Sequence, residues 1–181
     1  MKPNYLTILI TTLCIFFNAC HNSNTAPQLQ LADSLIDKRA DSALCILEKL
    51  SIEEISIKSA KAMYALLLTE ALDKNFKSHR NDSLILIAVD YYKDNSNNKL
   101  KTKAYYYLGR VYQDNKEYIK ATEAYLTALK TASPNQAPIL QIYNNLALCY
   151  ESQEFYLPAI KTYKESYATA EKMQDKYGIL H

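Results

Sequence analysis

The sequence predicts an all-α fold in which helical hairpins stack side by side into a solenoid. Apolar residues recur at three- and four-residue spacing over most of the chain, as they do on the buried face of a helix. One such pattern appears twice, and the chain holds only two glycines. We therefore predict helices throughout and no strands.

The clearer copy of the pattern lies in residues 102–135 and has the spacing of two antiparallel helices. Its first helix carries two aromatic residues, a leucine and a glycine along one stripe, and its second carries a tyrosine between alanines. These predicted core residues are Tyr105, Leu108, Gly109, Tyr112, Ala121, Tyr125 and Ala128. Residues three and four apart share a helix face, and a glycine there lets the partner helix approach closely. One hairpin alone cannot bury such a face, so we expect hairpins to stack.

The same pattern returns in residues 140–173. Its members lie 38 residues after their counterparts and are Tyr143, Leu146, Ala147, Tyr150, Ala159 and Tyr163. Upstream, residues 28–50 and 56–94 predict two degenerate hairpins of the same kind. Tyr177 and Leu180 predict that residues 174–181 open a further, incomplete repeat. The chain would then contain about nine helices.

The amino terminus predicts export. Lys2 followed by the apolar run 5–17 indicates a signal peptide over residues 1–19, because this run is too short to span a bilayer comfortably. Ala19 followed by Cys20 resembles a bacterial lipobox, which implies that Cys20 is acylated and that residues 20–27 form a lipid anchor and polar tether. The alternative is an ordinary cleaved signal followed by an incidental cysteine.

The sequence shows no constellation of catalytic or metal-binding residues. Its three histidines are scattered, and no glycine-rich phosphate loop or Gly-x-Ser-x-Gly motif occurs. The formal net charge of +2 gives no electrostatic sign of nucleic-acid binding. We therefore predict a protein that is not an enzyme and that uses neither a cofactor nor a metal.

The repeated pattern resembles the tetratricopeptide repeat (TPR), with Tyr105 in the place of the consensus tryptophan. The implied fold class is a TPR-type α-α helical-hairpin solenoid. The chain also resembles the TPR-containing envelope lipoproteins and regulators of Bacteroidota. That resemblance rests on the lipobox-like start and on the stretches 40–44, 63–69, 82–92 and 104–112.

The TPR resemblance implies a binding groove, because the first helices of successive hairpins line a concave surface that holds an extended peptide or a helix. If Tyr105, Leu108 and Tyr112 turn into the stack, helix geometry turns other residues toward that surface. The predicted groove residues are Lys103, Tyr106, Arg110, Gln113, Gln141, Asn144 and Leu148. The alternative is that these are ordinary solvated side chains.

These observations predict a membrane-anchored interaction scaffold of the bacterial cell envelope that faces the periplasm. Its predicted partners are a protein or peptide in the groove and the membrane at acylated Cys20, with no nucleic acid. One alternative is the truncated periplasmic half of a TPR transmembrane regulator, because longer proteins of that group continue into a membrane helix and a signalling domain. A glycan-binding lipoprotein is less favoured, since the chain has no tryptophan on which a sugar could stack.

Overall fold

A computed structural model describes residues 25–78, 81–133 and 138–177 of the chain. The described residues form eight α-helices and one short 3₁₀ turn, and they contain no strand. The elements are α1 (Thr25–Leu35), α2 (Ala40–Leu47), the 3₁₀ turn Ile52–Glu54, α3 (Lys58–Lys74), α4 (Ser83–Tyr92), α5 (Asn98–Asp114), α6 (Tyr118–Thr131), α7 (Pro138–Ser152) and α8 (Tyr156–Tyr177). The all-α prediction is confirmed.

Consecutive helices pair into four hairpins, which stack in chain order. Helix α2 contacts α3, α4 contacts α5, and α6 contacts α7. The first helices also contact one another, α1 with α3, α3 with α5, and α5 with α7, whereas none of α2, α4, α6 and α8 contacts another of these four. Because only the first helices approach each other closely, they form the inner, concave wall of the stack.

The turns at the ends of α3, α5 and α7 have a common geometry. Phe76, Lys116 and Glu154 all adopt positive φ angles, between 55° and 62°. The next residue in each turn then donates its backbone N–H to a carbonyl in the last turn of the helix, as Glu117 does to Tyr112 at 2.8 Å. This left-handed cap ends a helix and satisfies its free carbonyls. Its recurrence shows that the first helix of the degenerate hairpin α3–α4 ends with the same cap as the first helices of the two clear repeats.

The repeat-core residues divide into two groups by burial. The small and aliphatic residues and one tyrosine are buried, namely Leu108, Gly109, Ala121, Tyr125, Ala128, Leu146, Ala147 and Ala159. The remaining tyrosines are half-buried, namely Tyr105, Tyr112, Tyr143, Tyr150 and Tyr163. Tyrosine can bury its ring and keep its hydroxyl at a polar edge, as Tyr112 does by donating to Asp82 Oδ2 at 3.1 Å.

Two described helices contain residues that were predicted to lie in the tether and in the incomplete last repeat. Helix α1 begins at Thr25, so residues 25–27 of the predicted tether are helical, because the first turn of a helix tolerates Pro27. Helix α8 continues to Tyr177, so residues 174–177 extend the last hairpin without a break. No glycine or proline interrupts the chain between Pro158 and Gly178, and nothing therefore ends the helix earlier.

Two further predictions concern residues outside the described ranges. The signal peptide 1–19, with Cys20 and the tether up to residue 24, precedes the first of them, and residues 178–181 follow the last. Within the described ranges, no helix combines the length and apolar character needed to cross a membrane.

Candidate functional site

The concave wall holds a cavity of about 750 Å³ to which all four first helices contribute. Four carboxylates, three lysines, two tyrosines and one amide surround it. The lining residues are Asp33, Ile36 and Asp37 from α1 and its end, Glu70, Asp73 and Lys74 from α3, Lys99, Lys103, Tyr106 and Tyr107 from α5, and Pro138 and Gln141 from α7. The cavity is therefore a product of stacking, since no single hairpin supplies its walls.

The floor of the cavity contains a buried carboxylate. The side chain of Glu70 is only 2% exposed, and its two oxygens face different ammonium groups. Lys74 Nζ lies 3.3 Å from Oε1, and Lys103 of α5 contacts Oε2. A buried charge is costly unless it is paired. Lys103 of α5 therefore compensates the charge of Glu70 in α3. Lys103 lines the cavity as predicted, but its ammonium group is already occupied by Glu70.

Arg110 makes a second tie between α3 and α5. Its Nε donates to Asp73 Oδ1 at 2.9 Å, and its Nη2 lies 3.6 Å from Asp114 Oδ1. Burial is the largest single influence on Arg110 and lowers the pKa of its guanidinium, but the charge and hydrogen bond of Asp73, together with Tyr125 and Asp114, raise that pKa above its ordinary value. Arg110 was predicted to line the groove. In the structure it meets two carboxylates of its own chain.

Tyr106 lines the cavity, and its ring lies between those of two other tyrosines. Its ring is edge-on to Tyr107, with 4.9 Å between centroids, and 6.0 Å from the ring of Tyr125. Its hydroxyl accepts a hydrogen bond from Asn145 Nδ2 at 3.2 Å. Burial, followed by the charge of Asp73, raises the pKa of Tyr106 to about 12. Tyr106 therefore stays neutral at physiological pH and presents an aromatic surface.

The other predicted groove residues are only partly brought together. Gln141 lines the cavity and is exposed. Gln113 instead accepts a hydrogen bond from the Tyr125 hydroxyl at 2.7 Å, and Asn144 accepts one from Ser166 Oγ at 3.0 Å. Leu148 is 42% exposed but does not line this cavity. Whether any of them contacts a partner stays a prediction.

Opposite walls of the cavity carry opposite charge. Helix α1 and the turn after it supply Asp33 and Asp37, whereas α5 supplies Lys99 and Lys103. Asp37 is paired with Lys74, whose hydrogen bond lowers the pKa of that carboxyl. Asp33 and Lys99 are exposed and make no ion pair within the described part of the chain. The cavity can thus offer one acidic and one basic group to a bound molecule.

Sequence reasoning missed the contributions of α1 and α3. Both were assigned to degenerate hairpins, and no face was chosen for them. Glu70, Asp73 and Lys74 have the three- and four-residue spacing of one helix face. That spacing was the available signal, and it becomes informative once α3 is recognised as a first helix.

Comparison with known proteins supports the repeat assignment. Residues 101–172 match the family model described as tetratricopeptide repeat. Two crystal structures of MamA have the same fold. The match to one has a TM-score of 0.62 at 22% identity and covers 88% of this chain and 85% of the MamA chain. The match to the other has a TM-score of 0.59 at 22% identity and covers 87% of this chain and 79% of the MamA chain. A MamA RS-1 double mutant reaches 0.59 at 15% identity, with 87% and 82% covered.

These likenesses define the class of the molecule. Residues 101–172 match the tetratricopeptide repeat, and the described chain has the fold of a TPR-type α-α hairpin solenoid. At such identities the MamA structures show the fold alone. No curated protein sequence matches the chain. The narrower resemblance to Bacteroidota envelope lipoproteins therefore stays a prediction.

Proposed function

We propose that this protein is an interaction scaffold that holds a segment of a partner protein in the cavity of its concave wall. The observation that carries the proposal is that all four first helices, which are separated in sequence, converge on one cavity. TPR hairpins commonly use this face for protein ligands, and the repeat segment supports the same use here. The volume of about 750 Å³ is within the range of binding sites for small or extended ligands.

The chemistry of the walls favours a peptide over an apolar ligand. Tyr106 and Tyr107 supply aromatic surface, and the exposed amide of Gln141 can bond to a peptide backbone. Asp33 and Lys99, on opposite walls, would orient a segment that carries a basic and an acidic side chain. The ion pairs Glu70–Lys103 and Asp73–Arg110 tie α3 to α5, so their role is to position the lysine-bearing wall of the site.

We extend the proposal to the cellular context, with support from the sequence alone. Residues 1–19 would direct export, and acylated Cys20 would hold the scaffold on a membrane of the bacterial cell envelope, facing the periplasm. One or two acyl chains add membrane affinity with each buried methylene. Intact-mass measurement of the membrane-extracted protein tests this point, since an unmodified Cys20 would refute the anchor.

Site-specific photo-crosslinking tests the cavity. We expect a benzoylphenylalanine placed at Gln141 to give a defined adduct with a partner in the cells that make the protein. The same group at Lys130, which is exposed on α6 away from the cavity, should give none. Lys99→Glu should reduce the Gln141 adduct severalfold, because it reverses a cavity charge without breaking an ion pair of the fold.

The matched control for Lys99→Glu is Lys130→Glu, which reverses another exposed charge outside the cavity. Helical circular dichroism should be unchanged in both variants. Equal adducts from Gln141 and Lys130, or an adduct from Gln141 that is indifferent to Lys99→Glu and to Asp33→Lys, would contradict binding in this cavity.

A further inference from the structure

The outer face of α8 is an exposed apolar surface at the opposite side of the last hairpin from the cavity lining. Tyr156 is 61% exposed, Ile160 is 51% exposed and Tyr167 is 67% exposed. Their spacing of four and seven residues places them on one stripe of the helix, about 16 Å long. Large exposed apolar side chains that share one helix face mark interaction sites more often than isolated ones do.

The internal repeat shows what kind of element covers such a face. The two clear repeats are offset by 38 residues. At this offset, the counterparts of Tyr156, Ile160 and Tyr167 in α6 are Tyr118, Thr122 and Leu129. All three α6 residues are partly buried because α7 lies over them. Tyr118 and Leu129 pack against the cluster that contains three α7 side chains, Ile142, Leu146 and Cys149. The exposed face of α8 is therefore the counterpart of an interface that exists inside the same molecule.

One further pair of positions sets the edge of that interface. Ile119 of α6 remains 68% exposed although α7 is in place, and its counterpart Leu157 in α8 is 81% exposed. This position faces solvent in both hairpins. Leu157 thus provides an exposed apolar residue on the same helix that does not belong to the covered stripe.

We propose that the outer face of α8 is a docking site for an amphipathic helix of a partner protein, seated on α8 as α7 is seated on α6. The docking helix would present small and aliphatic side chains at the positions of Ile142, Leu146 and Cys149. Helix-in-groove recognition of this kind uses anchors at such three- and four-residue spacing.

A difference between the two faces refines the chemistry of the partner. Gln153 Nε2, just after α7, donates to Thr122 Oγ1 at 3.0 Å. In α8 the counterpart of Thr122 is Ile160, which offers no acceptor. The docking helix should therefore carry an apolar residue where the α7 segment has Gln153. A second copy of α8 fits less well, because it would oppose bulky tyrosines to Tyr156 and Tyr167 instead of aliphatic side chains.

The chain supplies its own probe for this surface. The probe is a labelled peptide of residues 138–153 that carries Cys149→Ala, to prevent oxidation, and Gln153→Leu. Fluorescence anisotropy with the full chain should show saturable binding. The double variant Ile160→Glu/Tyr167→Glu should weaken binding by about tenfold or more, because it places two charges on the stripe that the helix covers.

Three controls define the outcomes. Leu157→Glu should change the affinity by no more than about twofold, since Leu157 is more exposed than Ile160 and Tyr167 but lies outside the stripe. Lys99→Glu should leave binding unchanged, which separates this surface from the cavity. A peptide that also carries Leu146→Asp should not bind.

Several results would overturn the proposal. The first is the absence of binding up to about 1 mM peptide, which corresponds to a binding free energy of about −4 kcal/mol. The second is an equal loss of affinity from Leu157→Glu and from the double variant. A third is a concentration-dependent dimer in sedimentation that Ile160→Glu abolishes, because the face would then belong to a second copy of this chain.

Discussion

Replacing Tyr125 by alanine is expected to lower the free energy of unfolding by about 3–5 kcal/mol, the range for truncating a large aromatic side chain in a core. Tyr125 is completely buried and belongs to the cluster that joins α6 to α7. Its hydroxyl also donates to Gln113 Oε1 at 2.7 Å. The variant would lose aromatic packing at the junction of two hairpins and one partly buried hydrogen bond. Urea denaturation followed by circular dichroism measures the loss.

The repeat provides a matched control for this change. Tyr163 is the counterpart of Tyr125 in the last hairpin, but it is only half-buried. Tyr163→Ala should therefore cost clearly less than Tyr125→Ala, although the chemical change is identical. Tyr125→Phe should cost only about 0.5–1.5 kcal/mol, the usual net value of one hydrogen bond. Equal losses at Tyr125 and Tyr163 would show that burial at the α6–α7 junction does not set the stability.

Introducing leucine at Gly109 is expected to destabilise the fold by about 3 kcal/mol, the upper end of the range for overpacked cores, or more. A Cβ atom at Gly109 would lie 2.4 Å from Cε1 of Tyr125, and the ring cannot move away easily because it is buried on all sides. The larger side chain would force α5 and α6 apart. Chemical denaturation of Gly109→Leu beside the unmodified chain measures this effect.

A double-mutant cycle isolates the contact. Gly109→Ala alone combines a steric penalty with the better helix propensity of alanine, about 1 kcal/mol. With Tyr125→Leu the ring is gone, so the combined variant should be more stable than the sum of the two single losses indicates. Ala147→Gly, at the counterpart position, should cost about 1 kcal/mol through helix propensity and about 0.8 kcal/mol more through the loss of a buried methyl group. Additive losses in the cycle would contradict the proposed close contact between Gly109 and Tyr125.

The two clear repeats were the most predictable part of the fold. Their stripes of aromatic, leucine and small residues fixed which helix faces pack, and the small, aliphatic and Tyr125 positions are buried as the pattern indicates.

The candidate site was predictable only in part. Lys103, Tyr106 and Gln141 reach the cavity, because the inner face of a first helix follows from helical periodicity. The engagement of Arg110 by Asp73 did not follow, since 37 residues separate them and no local pattern links the two. The acidic wall from α1 was missed for the same reason.

The sequence by itself determined that the chain forms helical hairpins and which stripe of each repeat helix is apolar, because neighbours three and four residues apart define a helix face without reference to the rest of the molecule. The tertiary structure decided which charges meet and which remain available. Glu70 is neutralised by Lys74 and Lys103, whereas Asp33 and Lys99 face the cavity without an ion pair among the described residues. Such pairing depends on how far each hairpin is rotated against the next, which arises only when the buried faces of neighbouring hairpins pack together.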